Sequence, residues 1–223
     1  MVDDEPRLLI PPEFYFQATC DVGYRDKLRE QIEQGRHPER LTELPSLTFA
    51  SQRTGQPPAV AVGWNDSGIA IEIRVSGKKH PWPPHFQPGV KNGDLLSICL
   101  DTRDMKSNRR PNRFCHLIRV LPARPRSAGI QVEQLPMHTG PSQSLASEAR
   151  LVPHHFISQA NSYRVSLWLD REAILGYDPE NVPSLGFYYH FQDESLGDYS
   201  FGLGESVSPM SDPSLWPSLR LIR

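Results

Sequence analysis

The chain has 223 residues, 38% of them apolar, with 22 prolines and a formal charge of −2 from 24 basic and 26 acidic side chains. So even a balance offers no net field toward nucleic acid or an anionic membrane. The prolines argue against a helical protein, because each removes a backbone donor and suits edges and loops.

The opening Met1-Val2-Asp3-Asp4-Glu5-Pro6 is not a basic segment followed by an apolar one, and no later run is long enough to cross a bilayer, so a cytoplasmic location is expected. Phe14 to Thr19 is aromatic and β-prone and reads as a first strand. Tyr24 to Gln34 can form a short polar helix that Gly35 ends, and together with Leu41 to Leu47 it crosses one end of the fold. Residues 1–43 are thus expected to pack a strand and a short helix on the remainder.

The strongest pattern follows. Ala59 to Trp64 pairs with Ile69 to Val75 through the turn Asn65-Asp66-Ser67-Gly68. In the second of these strands Ile69, Ile71, Ile73 and Val75 share one face, as period two requires of a sheet with one buried side. Lys78 to Lys91 is rich in proline and aromatic residues and cannot hold a ladder, so it reads as a long loop. After the turn Gly93-Asp94, Leu96, Ile98 and Leu100 form the next buried face. Charged residues then lead to a strand from Cys115 to Leu121.

From Pro122 to Gln159 the pattern is poor apart from Ile130 to Leu135, read as a strand or hairpin. Order returns at Tyr163 to Leu169. Asp170 then suits the N-cap of one helical turn through Leu175, since its carboxylate can accept the first free amide hydrogens. Leu185 to Asp193 carries aromatics on both faces and is expected to be central, and Trp216 to Ile222 supplies a last strand. The sum is an all-β protein, an antiparallel β-sandwich with long loops and one or two short helices, read as a single domain over residues 1–223 because sandwiches of this length form single units.

Candidate chemistry gathers in two places. Trp82 and His85 lie in the proline-stiffened loop, where an indole serves either as a preorganised stacking surface or as a plug over one end of the core. Asp101, Arg103 and Asp104 leave one strand while Asn112, Arg113 and His116 enter the next, so these side chains can converge at one rim and hydrogen-bond hydroxyls through carboxylates and guanidinium groups. The alternative is that Asp101 and Arg103 form an ion pair that fixes the turn. Arg103, Lys106, Arg109, Arg110 and Arg113 form a basic cluster that reads as a solvated loop rather than a phosphate site.

His190 beside Asp193 lacks a nearby nucleophile and reads as structural, and the adjacent His154-His155 is a poor metal pair. Cys20, Cys99 and Cys115 are too few and scattered for a disulfide framework or a paired-CxxC zinc site. No hydrolase, zincin, P-loop or dinucleotide motif occurs. No catalytic residues, cofactor or metal are expected.

The order of the Trp64–Val75 hairpin, the Gly93–Arg103 strand, the Tyr163–Leu169 strand with its short helix, and the Leu185–Asp193 strand resembles the family 9 carbohydrate-binding modules and their DOMON-like relatives, over about residues 44–222. The resemblance implies an antiparallel β-sandwich that binds sugar, or haem in related domains. It also implies a sugar clamped between two tryptophans, for which Trp64, Trp82, Trp168 and Trp216 are available. The expected function is a non-catalytic binding module for carbohydrate held by Trp82, His85, Asp101, Arg103, Asn112, Arg113 and His116. A structural or protein-interaction domain with a protein partner and no small ligand remains open beside it.

Overall fold

The period-two rows of branched and aromatic side chains become two facing sheets. The computed structural model describes residues 18–45, 55–79, 82, 95–122, 129–137, 149–203 and 208–223. In chain order the elements are β1 (Thr19–Gly23), α1 (Leu28–Glu33), β2 (Thr42–Glu43), β3 (Ala59–Asn65), β4 (Gly68–Ser76), β5 (Leu95–Asp101) and β6 (Cys115–Pro122). They continue with β7 (Ile130–Pro136), β8 (Arg150–Leu151), β9 (His154–Gln159), β10 (Ser162–Asp170), β11 (Ser184–Asp193), β12 (Gly197–Ser200) and β13 (Ser218–Ile222).

One sheet runs β1-β13-β11-β5-β6-β7-β8, with β12 also paired to β11; the other runs β2-β3-β4-β10-β9. Among the strands named here the pairing is antiparallel except for β1 with β13, which run parallel from Thr19 opposite Ser218 to Gly23 opposite Ile222. Asp21 and Arg220 close that pair with a bidentate ion pair of 2.7 and 2.8 Å.

The core lies between the inward rows. Val60, Val62 and Trp64 of β3 and Ile69, Ile71 and Ile73 of β4 meet Ile98, Leu100, Phe187 and Tyr189 of the larger sheet, all buried. Burying each branched or aromatic side chain contributes about 1.5–3 kcal/mol, so these rows set the register of both sheets. The indole Nε1 of Trp64 donates to the Val22 carbonyl at 2.8 Å and ties β1 into the core. At the β3–β4 turn, where the sequence predicts a hairpin, the Asn65 carboxamide accepts the Ser67 amide at 2.9 Å.

The outward faces are also covered. Helix α1 lays Leu28 and Ile32 on Ala70 and Trp168 of the five-stranded sheet. Cys99, Cys115, Leu117, Leu135, Tyr188 and Trp216 form a second apolar layer on the outside of the larger sheet. β11 lies between β13 and β5, the central place expected from aromatics on both its faces.

The differences from the sequence reading are local. β1 begins at Thr19, where the expected first strand ends, and residues 14–17 of that expectation lie outside the described residues. The segment after Asp170 is a turn and not a helix. The Asp170 carboxylate does accept the Glu172 amide at 3.0 Å, and the Ala173 and Ile174 amides both return to the Asp170 carbonyl, but the turn does not propagate into a helix. Among the described residues no helix is long and apolar enough to cross a membrane.

Candidate functional site

The rim where β5 hands over to β6 separates the candidate residues into those that hold the loop and those that line a cleft. The Asp101 carboxylate is 1% exposed, and its two oxygens accept the backbone amides of Arg103 and Met105 at 2.9 Å each. A carboxylate engaged by two loop amides is a turn brace. Asp101 does fix the turn, but through the backbone and not through the expected ion pair with Arg103. Asp104 is similarly engaged by Ser218 Oγ at 2.7 Å, with Lys106 Nζ at 2.7 Å from its other oxygen.

The Arg103 guanidinium stands 5.2 Å from the centre of the Phe114 ring, and that of Arg113 stands 4.8 Å from the same ring. Such cation–π contacts hold both side chains against the rim at little cost in hydration. Asn112 turns the chain into β6, its Oδ1 accepting the Phe114 amide at 2.8 Å.

Beside this turn lies a cleft of about 240 Å³, lined by Asn112, Arg113, His116, Gln134, Met137 and Arg150 among others. Three of the candidates, Asn112, Arg113 and His116, thus meet in one place. His116 and Gln134 occupy the ends of inward rows that are otherwise apolar, Ile118 and Val120 in β6 and Ile130 and Val132 in β7.

Gln134 Nε2 donates to the Ala173 carbonyl at 2.7 Å and to His116 Nδ1 at 3.3 Å. His116 therefore carries its proton on Nε2, which points at the Leu175 carbonyl 3.4 Å away. Burial lowers the His116 pKa, against the opposing pull of the Leu175 carbonyl and the Asp101 charge, and the ring is neutral at pH 7. With both amide hydrogens of Gln134 engaged, its Oε1 is buried with no hydrogen-bond partner. An unpaired buried acceptor costs about 1–3 kcal/mol, which a donor from a bound molecule would recover.

The aromatic loop departs from the expected platform. Trp82 is 3% exposed. Its ring stacks on Tyr163 at 4.5 Å and meets Phe156 edge-on at 5.7 Å, so it plugs the core. His85 lies outside the described residues. Trp64, Trp168 and Trp216 are each 1% exposed, so no pair of described tryptophans flanks an open cleft.

Gln134, Met137 and Arg150 escaped the sequence reading. The signal for Gln134 was present as a carboxamide on a row begun by Ile130 and Val132. Nothing local marks Arg150, which reaches the cleft only through the pairing of β7 with β8.

Burial pushes the Cys115 thiol at the cleft wall up to about 11, so it is not a thiolate nucleophile at neutral pH. Among the described residues no group of three or more His, Cys, Asp or Glu side chains is placed to hold a metal ion. The Asp193 oxygens are engaged by Lys78, Ser195 and Leu196, which makes this carboxylate a structural anchor at the end of β11.

No protein-family model and no curated protein matches the chain. Its fold is similar to that of two solved structures of a carbohydrate binding module family 9 from Caldicellulosiruptor kristjanssonii. The structure in complex with cellotriose is 13% identical, with a TM-score of 0.55 over 91% of this chain and 93% of that one. The structure in complex with glucose is also 13% identical, with a TM-score of 0.56 over 92% and 95%. At this identity the likeness is one of fold.

Proposed function

We propose that the chain is a non-catalytic binding module and that a single sugar ring occupies the cleft between the start of β6 and the end of β7. The observation that carries this reading is the buried, unpartnered Oε1 of Gln134, an acceptor suited to a ligand hydroxyl. Around it Arg113 and Arg150 supply fork-shaped donors for neighbouring hydroxyls, while Leu135 and Met137 offer apolar surface to the C–H face of a pyranose.

A volume of about 240 Å³ falls below the range of about 300–1,000 Å³ usual for larger ligands, which favours one ring over a buried oligosaccharide. The shared fold with sugar-bound modules supports the same class. Protein docking has less support, because exposed apolar residues such as Leu151, Ile157 and Leu175 are scattered, and single exposed side chains are ordinary.

The test is titration of the purified chain with glucose and cellotriose beside a broad glycan array. Saturable binding that Gln134→Leu weakens about tenfold or more supports the reading; an array without binding overturns it.

A further inference from the structure

The outward face of the five-stranded sheet carries a second built cleft, independent of the first. One cross-strand row runs from Glu43 through Ala61, Glu72 and Ser166 to His155, on five successive strands. Over it lies the segment after α1, bringing His37 and Arg40 against the row to enclose about 430 Å³, within the range of small-molecule sites.

Glu72 is the buried centre, 3% exposed. Its Oε2 accepts from Arg164 at 2.7 Å and from Ser166 Oγ at 3.0 Å. Arg74 Nε stands 3.7 Å from Oε1, beyond a good hydrogen bond, while the same guanidinium is paired with Glu43. Ser166 has one hydroxyl hydrogen and gives it to Glu72, so at the 2.8 Å contact between His37 Nδ1 and Ser166 Oγ the imidazole is the donor. The serine proton therefore points away from the histidine, and the trio does not generate a nucleophile.

Consequently His37 Nε2 carries a lone pair. The His37 side chain is nine-tenths buried, and this nitrogen has no hydrogen-bond partner; nor has the Arg164 Nε donor. The buried base of the cleft thus holds one unpartnered acceptor and one unpartnered donor. Its three arginines, Arg40, Arg74 and Arg164, are matched by Glu39, Glu43 and Glu72, so a simple anion gains no net field there. A vicinal diol, whose adjacent hydroxyls each donate and accept, answers both sets.

We infer that this cleft is a second carbohydrate site, taking a neutral sugar through adjacent hydroxyls between Glu72 and the Arg74 and Arg164 guanidinium groups. The inference rests on the carbohydrate reading of the chain for its ligand class but on none of the residues of the first cleft. Two sites on opposite sheets make the protein bivalent, and tethering two weak contacts raises avidity without any new interaction.

The test is an NMR titration of the isotope-labelled chain with glucose and cellotriose. Amide shifts at Ala61, Glu72 and Arg74 are expected to saturate as one set, distinct from a set around Gln134. Ala61→Phe fills the floor and is expected to raise the Kd of the first set about tenfold or more while leaving the Gln134 set unchanged. Arg74→Ala, on an exposed side chain, is expected to weaken the same set and serves if Ala61→Phe does not fold.

Shifts at the Ala61 set alone, abolished by these variants, sustain this inference and sink the rim cleft. Shifts only around Gln134, or shifts at the Ala61 set that neither variant alters, overturn it. No saturable shift with either sugar overturns both.

Discussion

Lys78, just past the end of β4, donates its ammonium to Asp193, the last residue of β11, and so joins the two sheets by an ion pair with side chains only 5% and 1% exposed. The other Asp193 oxygen accepts the Ser195 and Leu196 amides at 2.9 Å each. Asp193→Ala leaves a buried ammonium and two loop amides without this carboxylate, and is expected to cost about 3–5 kcal/mol. Lys78→Met leaves the amide bonds to Asp193 in place and is expected to cost less. Urea unfolding of both single variants and the double variant checks this, and equal costs would contradict it.

Asp101 and Arg113 separate bracing from binding. Asp101→Ala frees the Arg103 and Met105 amides and is expected to lower stability by about 1–3 kcal/mol with little direct effect on sugar contacts. Arg113→Ala is expected to leave the unfolding midpoint almost unchanged and to weaken sugar binding several-fold. Melting temperature and glucose titration, measured on both variants, distinguish the roles; the reverse pattern would return Asp101 to the binding site.

Trp82→Ala tests whether the indole is a platform or a plug. With its ring against Tyr163 and Phe156, truncation is expected to destabilise the fold by about 3–5 kcal/mol. A variant with an unchanged melting temperature and abolished binding would contradict the buried placement.

Acid should weaken the fold through His37. Burial, with the nearby Arg164 and His155 charges, lowers its pKa from 6.5 to about 4, and the pKa of His155 is lowered for the same first reason. Between those two values the unfolded chain binds a proton at this position that the folded chain refuses, so stability is highest above pH 6.5 and falls as pH drops toward 4. Urea midpoints across this range should fall in the wild type and less steeply in His37→Gln. Parallel curves would remove His37 as a cause.

Most of the sandwich was legible because its inward rows are strict. Ile69 to Val75 and Tyr163 to Leu169 alternate, and both became strands within a residue of the predicted bounds. β9 was missed because His154 to Gln159 forms a sheet edge with no fully buried residue, so period two leaves no trace. At the rim, Asn112, Arg113 and His116 were readable as the entrance to one strand. Asp101 was not, since a carboxylate before a short loop serves bracing and binding alike. Gln134 depended on Ala173, 39 residues away, and the walls that bury Trp82 come from β9 and β10, whereas its own neighbourhood of prolines left stacking surface and plug equally open.

The parallel seam between β1 and β13 bears on how the molecule is made. Asp21 and Arg220 are 199 residues apart, and closing a loop of that length costs about 5 kcal/mol in chain entropy before any contact offsets it. During synthesis β1 emerges long before β13, its sheet partner among the described residues, so this seam of the larger sheet forms late. Until then the Val22 carbonyl is not held by β13 pairing for the Trp64 indole, and the β11 edge that β13 will cover is open to other strands. Folding should therefore be slow, as high contact order dictates, with aggregation during synthesis its main hazard.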